Sequence, residues 1–299
     1  MVSYVVIAVL TVLLMLAAAS AAYLYFRWSG YLSRNHAVFC AEIQWEDRGP
    51  TPLGEKGYTP QGLTWVNGRL IFANCWRNTR SRVYEFDPDT MTCQRHFDMP
   101  PEAVHTSGLA WDGAYLWAVD YISNRGYCID LEASLADGKA QLRGHFDTTL
   151  RGTSACCLLP WDGEWVLAIS DFMNSRRTIF VRHEEALRAG TAKGAVVFAY
   201  RNEGFSQGLE YAEGYLFESE NKHGIDAINQ IDLSRLRVTA SSRQATVWQY
   251  LAPNRGVEDL AWDGTRLWTS DEVAFRFFCG KLVHALGERL VDVPKATHA

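Results

Sequence analysis

One position of mostly polar side chains recurs in the sequence, each time two residues before a leucine. Its five occupants are Gln61, Ser107, Cys157, Gln207 and Glu258. Glu258 is the only acid among them, and one carboxylate within hydrogen-bond reach of a substrate can take up and return a proton. A catalytic cation would require several carboxylates or amides at this position. We therefore expect no catalytic metal at these positions.

The leucines that follow these positions mark a repeat. Leu63, Leu109, Leu159, Leu209 and Leu260 are separated by 46, 50, 50 and 51 residues. Around each leucine a short strand ends near an aromatic residue, a glycine-containing turn follows, and a second apolar strand ends in a polar residue. Glycine adopts positive φ without a Cβ clash, as a tight hairpin requires.

Two further strands follow the first pair where the pattern is clear: Arg82–Phe86 and Cys93–Phe97, then Arg177–Val181 and Ala195–Tyr200. Four strands in each period of about 50 residues are typical of a propeller blade. We therefore predict an all-β, five-bladed β-propeller, with a solenoid or a split sandwich as alternatives. Leu131–Asp137 and His183–Ala189 are predicted to form short helical turns between third and fourth strands.

The last blade needs a fourth strand, because an open sheet edge would leave backbone groups unpaired. The segment His36–Trp45 reads as a free strand before the first repeat, so we predict that it completes the fifth blade. Arg289–Val293 is the alternative for this place.

Two other sets of side chains recur at equivalent positions. A polar set ends the second strand of each repeat, and its members are Cys75, Asp120, Asp171, Glu220 and Asp271. We predict a structural role for it, since Asp at a strand end commonly accepts nearby backbone N–H groups. An aromatic set is predicted to pack between blades; its members are Trp65, Trp111, Trp161, Tyr211 and Trp262.

The composition excludes several classes of function. The chain is 48% apolar and 13% aromatic with a net charge of −5, so it is globular and has no basic stripe for nucleic acid. It contains no HExxH, Gly-x-Ser-x-Gly or Gly-rich phosphate loop, which disfavours zincin, serine hydrolase and nucleotide chemistry. Its seven cysteines include no CxxC pair, which suits a reducing compartment slightly better.

An uncharged apolar run extends from Tyr4 to Phe26. As a helix it would span about 35 Å, against a hydrocarbon core of about 30 Å. We predict a single-pass membrane protein with an anchor in residues 1–28, a linker in 29–36 and the propeller in 37–295. A cleaved signal peptide is the alternative. Arg27 and Arg34 favour a cytoplasmic propeller by the positive-inside rule.

The fourth repeat, residues 204–233, reads GFSQGLEYAEGYLFESENKHGIDAINQIDL. It resembles the blade motif of plant-type glutaminyl cyclases, which runs Phe-Thr-Gln-Gly-Leu and then Leu-Phe-Glu-Ser-Thr. The matching positions are Phe205, Gln207–Leu209 and Leu216–Ser219. That family also uses a five-bladed propeller, and elsewhere in the chain the likeness is that of a generic blade.

The resemblance implies a reaction and a set of residues. The acid of the family corresponds to Glu258, although the glycine that follows it in the family is Asp259 in this chain. The α-amine of an N-terminal glutamine would attack its own side-chain amide and release ammonia, with Glu258 as general acid and base and without a cofactor. The predicted substrate-binding residues are Gln61, Ser107, Gln207 and Phe205. The resemblance also favours an extracytoplasmic propeller.

Two other functions remain open, because a fold does not define an activity. One is a non-catalytic propeller that binds a peptide or protein in its channel or on one face. The other is a metal-dependent lactonase or esterase-type propeller with a cation in the channel.

Overall fold

A computed structural model describes residues 9–21, 42–52, 57–221 and 226–283 of the chain. Within these ranges the strands form five antiparallel sheets of four strands each. The prediction of a mainly β, five-bladed propeller is confirmed. The chain divides into two compact parts, residues 1–39 and residues 40–299, and the propeller belongs to the second.

The first three blades share one plan, in which the strands follow the chain from the inner strand outwards. Blade 1 consists of β2 (Tyr58–Val66), β3 (Arg69–Trp76), β4 (Arg80–Asp87) and β5 (Thr92–Asp98). Blade 2 consists of β6 (Thr106–Trp111), β7 (Leu116–Asp120), β8 (Arg125–Asp130) and β9 (Gln141–Asp147). Blade 3 consists of β10 (Thr153–Trp161), β11 (Glu164–Asp171), β12 (Arg177–Val181) and β13 (Val196–Arg201).

The last two blades have the same four-stranded layout. Blade 4 consists of β14 (Ser206–Ala212), β15 (Tyr215–Glu220), β16 (Ala227–Asp232) and β17 (Thr246–Leu251). Blade 5 consists of β18 (Val257–Trp262), β19 (Leu267–Asp271), β20 (Arg276–Val283) and β1 (Glu42–Pro50). The five inner strands contact one another in a closed ring, from β2 through β6, β10, β14 and β18 back to β2.

The fourth strand of blade 5 is β1, which pairs antiparallel with β20. The prediction that an N-terminal strand completes the last blade is confirmed, although β1 spans Glu42–Pro50 and residues 36–41 of the predicted strand lie outside the described residues. Arg289–Val293 also lies outside them. The pairing with β1 satisfies the backbone groups at the edge of β20. It also joins the beginning of the propeller chain to its last blade.

Short helices connect third and fourth strands. Two of them, α2 (Leu131–Asp137) and α3 (His183–Ala189), have the predicted bounds. The Asp130 side chain caps α2 by accepting the Ala133 N–H, and a left-handed Gly138 ends it. Blade 4 carries two more helices at this place, α4 (Leu233–Thr239) and α5 (Ser242–Ala245).

The core lies between the blades. Five clusters of buried apolar side chains each draw residues from two neighbouring blades. The predicted inter-blade role holds for Trp65, which stacks on Trp268 of blade 5 at a ring distance of 5.9 Å. Trp161 packs on Phe180 and Phe198 of its own blade, and it also belongs to the cluster between blades 3 and 4, where Arg237 lies over its ring at 4.0 Å. Full burial of each large ring contributes about 1.5–3 kcal/mol.

In blades 1, 2 and 4 a glycine precedes the repeated leucine, and it allows the inner strands to approach closely. A Cβ atom on Gly108 would lie 2.6 Å from the backbone nitrogen of Cys156 in the next blade. A Cβ atom on Gly208 would lie 2.6 Å from Cα of Asp259. Real Cβ atoms do not make such contacts, so any larger residue would force two strands apart.

The N-terminal part of the chain contains the helix α1 at residues 9–21. In the portion of the chain that the structure describes, no helix has both the length and the apolar character that a membrane crossing requires. Both ends of the predicted span Tyr4–Phe26 and the predicted linker 29–36 lie outside the described residues.

Candidate functional site

A cavity of about 750 Å³ lies at the end of the channel where the inner strands begin. Three of the predicted substrate-binding residues, Gln61, Ser107 and Gln207, line it. Each lies where the inner strand changes register against its neighbour, between Pro60 and Leu63 in blade 1 and at equivalent points in blades 2 and 4. Irregularities of this kind redirect a side chain, in this case toward the cavity.

The strand pairing corrects two of the repeat positions. In blade 3, Thr153 pairs with Asp171 as Thr106 pairs with Asp120, so Ser154 and not Cys157 is the counterpart of Ser107. The repeats were aligned at the turn that follows the inner strand. Counting back from this turn misplaced the position in blade 3, because β10 has nine residues and β6 has six. In blade 1, the residue opposite Pro60 is Asn74, so Asn74 and not Cys75 is the counterpart of Asp120.

The polar set at the ends of the second strands has the predicted structural role. Asp120 Oδ1 accepts the N–H groups of Ile122 and Ser123 at 3.1 and 2.7 Å. Asp271 Oδ1 accepts the N–H groups of Val273 and Ala274 in the same way. These acids fix the loops that form the cavity rim, and neither of them is among the residues that line the cavity.

Glu258 lies directly behind the cavity wall. Its side chain is only 1% exposed. Gln207 covers it, and the Gln207 Nε2 group donates a hydrogen bond of 3.2 Å to Glu258 Oε1. The structure therefore brings the predicted acid and the predicted orienting amide into contact, with the amide between the acid and the open cavity.

The surroundings of Glu258 favour its protonated form. Burial raises the pKa of this carboxyl well above its ordinary value, and the negative charges of Glu272, Asp259 and Asp226 raise it further. Glu272 and Asp226 also line the cavity, together with the Arg255 guanidinium. A raised pKa brings a carboxyl group closer to the range in which it can both take up and release a proton.

His105 is a cavity residue that sequence reasoning missed. Its Nε2 lies 2.7 Å from Gln61 Oε1 and its Nδ1 lies 2.5 Å from Asn78 Oδ1. Burial lowers the pKa of His105 to about 4, so the ring is neutral at physiological pH. The repeat pattern gave no signal for it, because it precedes the inner strand β6 where the repeats do not resemble one another.

The remaining predicted residues are placed differently. The Ser107 hydroxyl donates to the backbone oxygen of Thr153 at 2.6 Å, which leaves its oxygen free to accept. Phe205 does not line the cavity; its ring packs edge-on against Phe172 at 5.4 Å. Phe172 does line it, next to Tyr121, so Phe205 supports an apolar wall from behind.

The cavity thus has two unlike sides, both built from loops between strands. Blades 2 and 3 supply the aromatic side, Tyr121 and Phe172. Blades 4 and 5 supply the charged side, where Asn221 donates to Glu272 Oε1 at 3.1 Å. Sequence reasoning missed these residues because loop positions vary from one blade to the next.

One group of three side chains has the spacing of a metal site in the described residues. It consists of Asp112, His183 and Glu184, whose ligand atoms lie within 4.8 Å of one another. None of the three lines the channel cavity. Glu184 is paired with Arg143 at 2.6 Å, and Asp112 accepts the Trp117 indole N–H at 2.7 Å. The group therefore does not provide the channel cation that a lactonase-type propeller would use.

The ring of five sheets and the polar cavity define a closed five-bladed β-propeller with a candidate site at one end of its channel. No protein-family model matches the sequence, and no curated protein matches it. Among solved structures, the chain is similar to a glutaminyl cyclase from Myxococcus xanthus, with a TM-score of 0.58 and 15% identity over 81% of this chain and 97% of that one. At this identity the similarity shows the fold, and the resemblance seen in residues 204–233 is confirmed at that level.

Two further similarities are weaker. One is to a hydrazine synthase from Kuenenia stuttgartiensis, with a TM-score of 0.41 and 12% identity over 74% of this chain and 57% of that one. The other is to a protein of unknown function from Bacteroides caccae, with a TM-score of 0.42 and 13% identity over 67% and 69% of the two chains. Neither carries an argument about this chain.

Proposed function

We propose that the propeller cyclises the N-terminal glutamine of peptides, with Glu258 as the catalytic residue. The observation that carries this proposal is the contact between the buried Glu258, whose pKa is raised, and the Gln207 amide that faces the cavity. The similarity in fold to a glutaminyl cyclase supports it.

The proposed reaction transfers one proton and exchanges one bond. The α-amine nitrogen attacks the side-chain amide carbon, a C–N bond closes the five-membered ring, and the bond to the amide nitrogen breaks. The amine attacks in its neutral form, and the carboxylate form of Glu258 takes the proton from the attacking nitrogen and gives it to the departing nitrogen, which leaves as ammonia. For this transfer the Gln207 amide moves away from Glu258 and binds the side-chain amide of the substrate. Gln61 of blade 1 binds the same substrate amide.

The two sides of the cavity suit such a substrate. On the charged side, the two acids Asp226 and Glu272 outnumber the one cation Arg255, and the resulting negative potential attracts the positively charged amino terminus of a peptide. Tyr121 and Phe172 provide an apolar wall that can cover the folded-back glutamine and exclude water. Peptides are therefore the proposed ligands of this cavity.

The Glu258→Gln variant tests the catalytic role. We expect the substitution to reduce cyclisation of a Gln-initiated peptide by about 100-fold or more, because the amide cannot transfer the proton. Mass spectrometry of the peptide measures the loss of ammonia above the spontaneous rate. Glu102→Gln, at an exposed turn residue, is the matched control and should retain the activity of the unmodified protein. Full activity in Glu258→Gln would refute the assignment.

A peptide-binding propeller without catalysis is the second candidate. The observation in its favour is that Glu258 is 1% exposed and lies behind Gln207, so the acid is not open to the cavity. If the protein binds a Gln-initiated peptide but releases no ammonia from it, this candidate replaces the first. Calorimetric titration with that peptide and with a Glu-initiated one distinguishes binding from turnover.

We also propose that the apolar segment Tyr4–Phe26 anchors the protein in a membrane as a single span. The support is the uncharged sequence of this segment and its predicted length as a helix. After expression of the full chain, the protein should remain in the membrane pellet during alkaline carbonate extraction, whereas a chain that starts at Ser29 should be extracted. Release of the full chain, or cleavage of its first residues, would contradict an anchor. Protease protection of membrane vesicles decides on which side the propeller lies.

A further inference from the structure

A second cavity, of about 180 Å³, lies at the other end of the same inner strands. In β6, for example, Ser107 lines the first cavity and Trp111 lines the second. Between the two ends, the buried Asp259 carboxylate accepts backbone N–H groups from the inner strands of blades 1, 2 and 4. The second cavity is therefore separate from the proposed catalytic site.

Five of the eleven residues that line this second cavity are aromatic. Four of them end inner strands of four different blades, and they are Trp65, Trp111, Tyr211 and Trp262. A fifth ring, Trp165 of β11, is 59% exposed and meets Tyr211 edge-on at 6.2 Å. Large exposed apolar rings at a cavity mouth are typical of a binding surface.

One acid lies among these rings. Glu210 lines the cavity next to Tyr211, whose backbone N–H donates to Glu210 Oε1 at 2.8 Å. No Lys, Arg or His is among the described residues that line this cavity. Burial raises the pKa of Glu210 to about 8, and its hydrogen bonds with the backbones of Tyr211 and Trp262 oppose the rise. The carboxyl group therefore lacks the cation that would favour its charged form.

Aromatic faces carry partial negative charge, so rings around one acid attract a cation. A primary ammonium group has three N–H donors to satisfy, and Glu210 is the only charged acceptor in the lining. A quaternary ammonium group has no N–H donor and makes its contacts through methyl groups, which suit tryptophan faces. At 180 Å³ the cavity is smaller than sites for drug-sized ligands and fits a head group rather than a whole peptide.

We propose that the cavity of Trp65, Trp111, Trp165, Glu210, Tyr211 and Trp262 binds a quaternary ammonium group. This proposal is independent of the cyclisation assigned to the opposite end of the channel. The rings supply attraction to the cation through their faces. Glu210 supplies the opposite charge in its deprotonated form, which a bound cation favours.

The test compares choline with 3,3-dimethyl-1-butanol, which has the same shape and no charge, by calorimetric titration of the full chain. We expect choline to bind with a Kd of about 10 mM or tighter and the alcohol to bind about tenfold more weakly. Absence of choline binding in this range, or equal binding of the two compounds, would overturn the proposal.

Two variants locate the site, with a matched control. Glu210→Gln keeps the shape of the side chain and removes its charge, and it should weaken choline binding about fivefold or more. Glu213→Gln, in the exposed turn that follows β14, should bind choline as the unmodified protein does. If circular dichroism shows that Glu210→Gln is unfolded, choline binding by Trp165→Ala tests the location of the site. We expect this variant to fold, because the exposed Trp165 ring can be removed without opening the core. Unchanged choline affinity in Trp165→Ala, or in a folded Glu210→Gln, would show that the compound binds elsewhere.

Discussion

The Asp259 carboxylate connects the inner strands of four blades. Its Oδ2 accepts the N–H groups of Leu63 and Leu109 at 2.9 and 3.1 Å. Its Oδ1 accepts those of Leu209 and Leu260 at 3.2 and 2.9 Å. The backbone bonds favour the carboxylate, whereas burial raises the pKa of Asp259. Where the resembled family has glycine, this chain therefore has a cross-blade connection.

The Asp259→Asn variant measures the strength of that connection. Asparagine has the same shape but presents an NH₂ group to two of the N–H donors, which leaves buried donors unpaired. We expect the free energy of unfolding to fall by about 2–4 kcal/mol. Urea unfolding followed by tryptophan fluorescence gives the value. Asp89→Asn, at an exposed residue, serves as the control and should change the free energy of unfolding little. An equally small change in Asp259→Asn would show that the four hydrogen bonds of Asp259 are not required for stability.

The inner strands of blades 1, 2 and 4 each contribute a position that lines the cavity and a position that packs against the next strand. The residue at the register shift points into the channel cavity, as Gln207 does, and the glycine that follows it contacts the next strand. A Cβ atom on Gly208 would lie 2.8 Å from the backbone oxygen of Glu258 as well as 2.6 Å from Cα of Asp259. The position of Glu258 therefore depends on the absence of a side chain one blade away.

We expect Gly208→Ala to lower the free energy of unfolding by about 3 kcal/mol, because the backbone atoms of Glu258 and Asp259 that its Cβ would meet cannot move away cheaply. Thermal unfolding and the cyclisation assay together measure the effects on strand packing and on Glu258. Gly144→Ala is the matched control. Its Cβ would meet only the flexible end of Leu187 at 3.0 Å, so the loss should be about 1 kcal/mol or less. Equal losses in the two variants would argue against a special role for the inner-strand glycine.

Blade 5 closes the ring, because it combines β1 from the beginning of the propeller with β18, β19 and β20 from its end. Ile43 of β1 is buried in the apolar cluster between blades 4 and 5. Trp45 Nε1 donates a hydrogen bond of 3.2 Å to the backbone oxygen of Leu251 in blade 4. Arg276 Nε lies 2.6 Å from Asp47 Oδ2 across the strand pair. Because β1 contacts two blades, it stabilises the interface between them as well as the edge of blade 5.

Removal of β1 tests this closure. A chain that starts at Thr51 lacks the strand, whereas a chain that starts at Ser29 retains it. We expect the first to unfold at a midpoint about 10 °C or more below the second, because β20 would lose its backbone partners and the Ile43 contacts. Differential scanning calorimetry of both chains provides the comparison. Equal midpoints would show that the other blades close without β1.

The sequence alone determined the number of blades, the order of strands and the bounds of α2 and α3, because these depend on local periodicity and on turn residues within one repeat. It also predicted that Gln61, Ser107 and Gln207 line the channel, and the structure places them in the cavity at one end of it. The tertiary structure decided what depends on distant segments. His105 joins the site through loop geometry, and Asp259 binds N–H groups up to 196 residues away. The placement of Ser154 likewise required the strand register, because hairpin alignment cannot detect the longer β10.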